Sequence, residues 1–405
     1  KKQDTCDEIL AKLKGKKPVN RGQEKDSSFQ NGKTSSNLFN STPRNSNRGV
    51  CFFNQLKLFY FSIMNVTIVG ASGYSGRQLV SILAGHPKVN LMGVTSRTYA
   101  GNPVESSIPH LRGKVEGLTF TNPSIKELCE NTDCDLFFLA LPHGTAASYA
   151  IPLLNAGKKV IDLSADFRLK TDQCYQEFYG SPHPEPEWLG RATYGLPEIH
   201  NFSWEDSSLI ASPGCYPTSI LIPLFPLLKD GLIEESGIVA NSMSGVSGAG
   251  RNATEKLLYC ERNESAGPYG LPKHRHLSEI EEQLSLASSN DVIISFHPHL
   301  APMNRGICST TSVSAKEGLN RKKVWDSWKS FYRGRKFVHL LDEGEFPDVA
   351  HVAGTNRIDL SVNEDKRTGR YTICSAEDNL IKGAGGQAVQ SMNICQGYEE
   401  GEGLP

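Results

Sequence analysis

The sequence predicts two folded domains of different class: an α/β domain with a parallel sheet, followed by an α+β domain with a mixed or antiparallel sheet. Over residues 64–212, apolar strands alternate with helical segments, and the strand at 135–141 is apolar almost throughout, as inside a parallel sheet. The segments at 292–297 and 307–315 instead alternate apolar and polar residues, which is typical of a half-exposed sheet. A length of 405 residues accommodates both domains.

A glycine-rich turn joins the first strand to the first helix. Asn65–Val69 is rich in β-branched residues, and residues 77–84 have helical periodicity. The glycines between them are spaced G-x-x-G-x-x-G rather than G-x-G-x-x-G, but they suit the same task. They let the backbone approach a pyrophosphate, which a helix N-terminus attracts. We therefore predict a Rossmann fold, with a plain tight turn as the alternative, and assign these residues to a dinucleotide: Gly70, Ser72, Gly73, Tyr74, Ser75 and Gly76.

The second strand, at 89–94, ends in a hydroxyl and a guanidinium. Sites specific for NAD usually place Asp or Glu here, about 20 residues past the glycines, on the ribose 2′-hydroxyl. This chain has Ser96 and Arg97 instead. A guanidinium suits a 2′-phosphate, so the predicted cofactor is NADP. The alternative for Arg97 is a solvated loop arginine.

Two further strands, at 135–141 and 159–163, end in residues that we assign to the same site. Cofactors in open parallel sheets lie at the carboxyl ends of the strands. The candidate cofactor residues at these two ends are Leu141, Pro142, His143 and Ser164. Arg168 follows the second of them, where it would either grip a substrate phosphate or form a salt bridge with Asp166.

Cys215 lies between a flexible glycine and a predicted helix start. A short strand at 207–211 precedes it, an apolar run at 219–228 follows it, and Pro217 suits a first helical turn. Unpaired N–H groups and the helix dipole at such a point favour the thiolate. The same N–H groups can hold an oxyanion when the sulfur attacks a carbonyl. The alternative is a small buried hydrophobe, but the Gly and Pro residues around it favour a nucleophile.

A second polar cluster contains two histidines and a glutamate. His274 and His276 flank an arginine, and Glu279 follows on a helix predicted at 277–286. An imidazole can act as acid and base, and we expect Glu279 to orient one imidazole and set its tautomer. With His297 and His299, the His-x-His pattern also fits a metal ion. No cysteine is spaced to complete a zinc site, so we predict no metal.

Two later segments complete the predicted organisation. A Gly- and Ser-rich loop follows the strand at 237–243; it either lies over the cofactor or is merely flexible, and its candidate residues are Gly245, Ser247 and Gly248. A last helix ends near Cys395, and we expect it to pack on the first domain. The predicted domains are therefore 64–212, completed by residues 379–405, and 213–378.

Composition restricts the possible partners of the chain and the cellular compartment in which it is expected. A net charge of −1 indicates no nucleic-acid partner, and the apolar run Cys51–Ile63 is too short to span a membrane. The 10 cysteines form no C-x-x-C pair, which favours a reducing, cytoplasmic compartment. The first fifty residues are polar and lack sustained apolar periodicity, and the first methionine of the sequence is Met64, which follows residues 1–63. We expect this segment to be disordered or to lie upstream of the natural start.

Together these motifs resemble the N-acetyl-gamma-glutamyl-phosphate reductase family, which is related to aspartate-semialdehyde dehydrogenase. The resemblance covers Met64 to Pro405 and rests on seven segments: Gly70–Gly76, Ser164–Arg168, Ser212–Thr218, Gly245–Arg251, Lys273–Glu279, His299–Gly306 and Asn379–Ala388. It implies an NADP-binding domain and a dimerising substrate domain in a homodimer or homotetramer. It also implies the NADPH-dependent reductive dephosphorylation of N-acetyl-L-glutamyl 5-phosphate, in arginine biosynthesis.

The resemblance also implies roles for individual residues. Cys215 would be the nucleophile that forms a thioester, and His276 the acid/base, with His274 as its rival. Arg168 and Arg305 would bind substrate, while Asn379 and the loop at 245–248 would flank the nicotinamide. Two alternatives keep this chemistry with another substrate: an aminoadipyl-phosphate reductase and an aspartate-semialdehyde dehydrogenase. A non-catalytic dinucleotide sensor is the alternative of a different class, but a sensor has no use for a nucleophile.

Overall fold

The computed structural model describes residues 63–405, so our expectations for residues 1–62 lie outside the described residues. Two seven-stranded sheets occupy residues 64–211 and 238–377. Between residues 63 and 405, no helix is both long enough and apolar enough to cross a bilayer.

The first sheet is parallel throughout, which confirms the predicted α/β class. Its strand order is β3-β2-β1-β4-β5-β7-β6. The strands are β1 (Met64–Val69), β2 (Val89–Thr95), β3 (Phe120–Thr121), β4 (Leu136–Leu139), β5 (Lys159–Asp162), β6 (Thr193–Tyr194) and β7 (Leu209–Ala211). The accompanying helices are α1 (Tyr74–Leu83), α2 (Ile125–Glu130), α3 (Ala146–Asn155) and α4 (Asp172–Tyr179).

The strand order reverses between β1 and β4, and this reversal positions the site. The strands run outward from β1 to β3 on one side, and from β4 through β5 and β7 to β6 on the other. The turns after β1 and β4 therefore diverge and leave a crevice at the carboxyl edge of the sheet, where ligands bind in folds of this kind. All four residues of β4 are buried, as the apolar run predicts.

The second sheet is mixed, with the order β12-β13-β14-β11-β8-β10-β9. Its strands are β8 (Ile238–Ser244), β9 (Gly267–Pro268), β10 (Ile294–Leu300), β11 (Ile307–Ser314), β12 (Val338–Leu340), β13 (Ile358–Asp365) and β14 (Arg370–Glu377). The helices are α5 (Cys215–Lys229), α6 (His276–Ser288), α7 (Arg321–Phe331) and α8 (Gly386–Cys395). Helix α5 packs against α6, α7, β11 and β14, while α8 packs on α1 of the first domain.

Helix α5 is buried almost along its whole length although it contains two prolines. A proline has no N–H, so Pro223 and Pro226 leave the carbonyls four residues earlier, at Ser219 and Ile222, without their usual donors. Ser375 Oγ donates to the Ser219 carbonyl at 2.7 Å, and the Tyr332 hydroxyl donates to that of Ile222. Neighbouring elements thus supply the missing bonds, and they hold in place the helix that begins at Cys215.

Candidate functional site

A cavity of about 600 Å³ opens at the carboxyl edge of the first sheet and extends to the start of α5. It is lined by the turn after β1, the ends of β2 and β4, the cysteine turn and loops of the second domain. It brings together sixteen of the predicted site residues: Gly70, Ser72, Gly73, Tyr74, Ser75, Gly76, Ser96, Arg97, Leu141, Pro142, Arg168, Cys215, Ser247, Gly248, His276 and Asn379.

The glycine turn has the geometry that a pyrophosphate needs. Gly70 has φ +88°, and a Cβ on it would lie 2.4 Å from the Ala140 carbonyl oxygen, so only glycine fits there. A Cβ on Gly73 would meet nothing nearer than the Gly70 oxygen at 4.0 Å, so no neighbouring protein atom explains this glycine. Gly73 begins α1 without a side-chain cap, which leaves the first N–H groups of the helix available to an anion. The residues present therefore fit a dinucleotide phosphate.

Two arginines flank the end of the cavity beside β2. Arg97 is exposed, and its Nη2 lies 3.4 Å from the Tyr149 hydroxyl. Arg251 reaches from the second domain, where its Nη1 donates to the Tyr99 hydroxyl at 3.1 Å and to the Ser72 carbonyl at 3.4 Å. The site therefore has a second guanidinium, that of Arg251. This residue was not among the predicted cofactor residues, although it ends the Gly- and Ser-rich motif.

Cys215 is the first residue of α5, with Gly214 as its N-cap and no side chain capping the helix. The expectation that this position favours the thiolate is wrong for this structure. Burial, followed by the nearby Glu377 carboxylate, raises the pKa of the Cys215 thiol to about 12. Arg168, the Tyr216 N–H and Arg275 act in the opposite direction. The cost of placing a charge in a poorly solvated position outweighs these groups.

His276 packs directly against the cysteine turn. A Cβ on Gly214 would lie 2.8 Å from His276 Nε2, so only glycine lets this ring come so close. Burial, and then His274 and Arg168, lowers the pKa of His276 well below its ordinary value. The imidazole is therefore neutral at pH 7 and able to accept a proton.

His274 lies behind His276 rather than in the cavity. Its Nδ1 accepts a bond from the His276 backbone N–H at 3.1 Å, and the two ring centres are 5.0 Å apart. Burial and Arg275 lower the pKa of His274 to about 4. The geometry thus favours His276 over His274 as the group that exchanges protons with Cys215.

Comparisons with known proteins agree with this arrangement. Residues 65–206 match the NAD binding domain of semialdehyde dehydrogenases, and residues 215–379 match their dimerisation domain. An N-acetyl-gamma-glutamyl-phosphate reductase of Akkermansia muciniphila is 49% identical over 84% of this chain and 98% of its own length. A protein of the same name from Desulforamulus reducens is 43% identical over the same shares. The chain belongs to this reductase family.

Solved structures of more distant proteins share the fold. Aspartate semialdehyde dehydrogenase II of Vibrio cholerae superposes with a TM-score of 0.62 at 17% identity, covering 82% of this chain and 97% of that one. The Candida albicans aspartate semialdehyde dehydrogenase, solved with NADP, has a TM-score of 0.58 at 15% identity, with coverages of 82% and 98%. At such identities the likeness concerns the fold alone.

Glu279 does not orient an imidazole in this family member, so that expectation is wrong. Its Oε1 accepts bonds from the Gly214 N–H at 2.8 Å and the Tyr194 hydroxyl at 2.7 Å. Its Oε2 lies 3.2 Å from Arg168 Nη1. The carboxylate therefore holds the cysteine turn, because α6 directs it toward the backbone of Gly214.

Arg168 pairs with Glu279 rather than with Asp166, the partner considered from the sequence. Its other donors bind the carbonyls of Ser212 and Leu163, both at 2.8 Å. Asp166 instead accepts bonds from the N–H groups of Gly144 and Ala147 near the start of α3. Arg168 still lines the cavity, so its contact with substrate stays a prediction, and its clearest task is to support the loop before Cys215.

Four other predicted site residues lie outside the cavity. Arg305 forms an ion pair with Asp378, at 2.8 Å, and its Nη2 donates to Gln78 of α1 at 2.9 Å. It therefore joins the two domains, and its contact with substrate stays a prediction. The remaining three are held by local contacts: His143 Nδ1 lies 3.1 Å from Arg275 Nη1, Ser164 Oγ donates to Asp162, and Gly245 packs on the Arg305 backbone.

Asn379 ties two loops together at the cavity wall. Its Oδ1 accepts a bond from the Gly306 N–H at 2.6 Å, and its Nδ2 donates to Ser247 Oγ at 3.1 Å. Its place beside a nicotinamide stays a prediction.

Within residues 63–405, no three His, Cys, Asp or Glu side chains are arranged to hold a metal ion. His297 Nδ1 instead contacts Asn241 Oδ1 at 3.0 Å.

Proposed function

We propose that this chain catalyses the NADPH-dependent conversion of N-acetyl-L-glutamyl 5-phosphate to N-acetyl-L-glutamate 5-semialdehyde and phosphate, a step of arginine biosynthesis. One observation carries the proposal. A cysteine at a helix N-terminus and a neutral histidine share one cavity with a glycine turn suited to a dinucleotide. The relatives named for this reaction cover 84% of the chain and support the choice of substrate.

The first half of the reaction forms a thioester. As the sulfur attacks the acyl carbon, His276 takes the thiol proton, because a thiol of high pKa must lose its proton during the attack. The carbon–sulfur bond forms, the carbon–oxygen bond to phosphate breaks, and the departing phosphate takes up one proton from solvent. The uncapped N–H groups at the start of α5 stabilise the oxyanion, and Arg275 adds positive charge to the cavity wall.

The second half releases the aldehyde. NADPH, when bound, supplies the hydride that reduces the thioester carbonyl. The α5 N–H groups again hold the negative oxygen. When the carbon–sulfur bond breaks, the proton on His276 returns to the sulfur and restores the thiol. Glu279 and Arg168 keep the cysteine turn at a constant distance from the imidazole through both halves.

The preference for NADP is supported by Arg97 and Arg251 at one end of the cavity. The proposed oligomeric state and cellular location of the protein follow from its family. The match to a dimerisation domain supports a homodimer or homotetramer. The side chain of Met243 on β8, 53% exposed, is an apolar group for such a contact. A biosynthetic step on a soluble metabolite supports a cytoplasmic location.

The substrate is tested in the reverse direction, where reduction of NADP is followed with three semialdehydes in the presence and absence of phosphate. We expect N-acetylglutamate 5-semialdehyde to be the best substrate and its oxidation to require phosphate. A preference for aminoadipate semialdehyde or aspartate semialdehyde would replace the substrate and keep the chemistry. Absence of turnover with all three, despite measured NADP binding, would favour a dinucleotide sensor instead.

A further inference from the structure

Glu377, the last residue of β14, is an anomaly beside the site. Its side chain has no exposure to solvent. Neither carboxyl oxygen has a hydrogen-bond partner among residues 63–405. Buried carboxylates are almost always paired or hydrogen-bonded, because an isolated charge in a poorly solvated place is costly. An unpartnered carboxyl at this position therefore calls for a functional reason.

Glu377 and the proposed nucleophile face the same small gap. A Cβ on Gly383 would lie 2.7 Å from Cys215 Cβ and 2.8 Å from Glu377 Oε1. Since residue 383 has no side chain, nothing from this residue separates the carboxyl from the cysteine. Strand β14, the turn at 381–385 and the start of α5 meet here, so the arrangement involves three separate elements.

The nearest cation does not neutralise Glu377. Lys382 is wholly buried, but its Nζ binds Glu198 Oε1 at 2.5 Å and Gln390 Oε1 at 2.9 Å. The charged groups that influence Glu377 are Lys382, Asp378 and Glu198, and those that influence Cys215 are Glu377, Arg168 and Arg275. The other titratable side chains packed around the cysteine turn are His276, Tyr216 and Tyr269, with His274 behind His276. Among residues 63–405, Glu377 is thus the carboxylate whose charge acts most strongly on the sulfur.

We propose that Glu377 is a positioning residue for the nucleophile. The Glu377 carboxyl and the Cys215 thiol cannot both be ionised, so the charge of one keeps the proton on the other. This proposal rests on the proposed role of Cys215. The two groups respond as a like-charge pair. Burial raises the pKa of Glu377 well above its ordinary value, and Glu377 in turn raises that of Cys215. The device limits unproductive reaction of the sulfur with electrophiles and oxidants, because only a thiolate reacts rapidly with them.

The test measures alkylation of Cys215 by iodoacetamide in the intact chain, with the modified peptide quantified by mass spectrometry. This readout needs no turnover, so it separates the present proposal from the reductase activity itself. The substitution Glu377→Gln removes the carboxylate. In this variant iodoacetamide should alkylate Cys215 about tenfold faster than in the wild type at about pH 9, which corresponds to a fall of about one unit in the thiol pKa. Glu377→Asp, which keeps a carboxylate, should stay closer to the wild type.

Two further variants keep the test decisive. Glu377→Met also removes the charge, and it suits a site that offers no hydrogen bond, so it answers the question if the Gln variant does not fold. Glu235→Gln is the matched control, because it removes a carboxylate that pairs with Lys316 at the surface. Alkylation rates within about twofold of wild type in both uncharged Glu377 variants between about pH 7 and 10 would overturn the proposal.

Discussion

Replacing Gly214 by alanine displaces the proposed base without removing any reacting group. The backbone of Gly214, at φ −71° and ψ 156°, is accessible to alanine, so the change adds no backbone strain. The new methyl carbon, however, would lie 2.8 Å from His276 Nε2, 2.9 Å from His276 Cε1 and 2.8 Å from Arg168 Nη1. Ordinary contacts of this kind are about 3.5–4 Å, so the ring must retreat by roughly 1 Å.

The magnitude follows from that displacement. A shift of about 1 Å in a catalytic group costs on the order of 100-fold in rate. Overpacking of a buried site costs about 1–3 kcal/mol of unfolding free energy. We therefore expect kcat to fall about 100-fold in Gly214→Ala while the protein still folds and binds NADPH with unchanged affinity.

The assay combines kcat from NADPH absorbance, NADPH affinity from titration calorimetry and the unfolding free energy from urea titration. Gly190→Ala is the matched control, because no atom lies within 4 Å of the added methyl. A kcat for Gly214→Ala within about threefold of the control would refute the placement of His276 as the group that exchanges protons with Cys215.

Three other predictions follow from the site. Cys215→Ser should abolish reduction but leave NADPH affinity intact in a binding titration; substantial residual turnover would exclude the thioester. Arg97→Ala should raise the KM for NADPH far more than that for NADH, whereas Arg112→Ala, also an exposed arginine, should change neither; equal effects of Arg97→Ala on both cofactors would show that it does not read the 2′-phosphate. The depressed pKa of His274, about 4, means that the unfolded chain binds the extra proton below about pH 6.5. Unfolding free energy should therefore fall as pH drops from about 6.5 toward 4, and His274→Asn should lessen the loss at about pH 5 by about 2 kcal/mol, as measured by urea unfolding; an unchanged slope would contradict a neutral imidazole at this half-buried position.

Local patterns determined most of the fold and the cofactor end of the site. Strand β4 is apolar throughout because parallel strands are buried on both faces, and Gly70 occurs after β1 where a side chain would collide with the Ala140 carbonyl, directly after β4. Such features depend on neighbours in the chain or on a regular architecture. The interior of α5 was less predictable, because Pro223 and Pro226 are tolerated there only through donors from distant elements.

Tertiary structure alone decided the electrostatics around Cys215. The sequence determined that a cysteine begins a helix, and hence that a dipole favours the thiolate. It could not show that Glu377 would meet the cysteine across Gly383, or that Glu279 would bind the Gly214 N–H instead of an imidazole. Charge interactions depend on distance and solvation in space, not on separation along the chain, so the ionisation state of the sulfur became evident only once β14, α6 and the turn at 381–385 were packed around the start of α5.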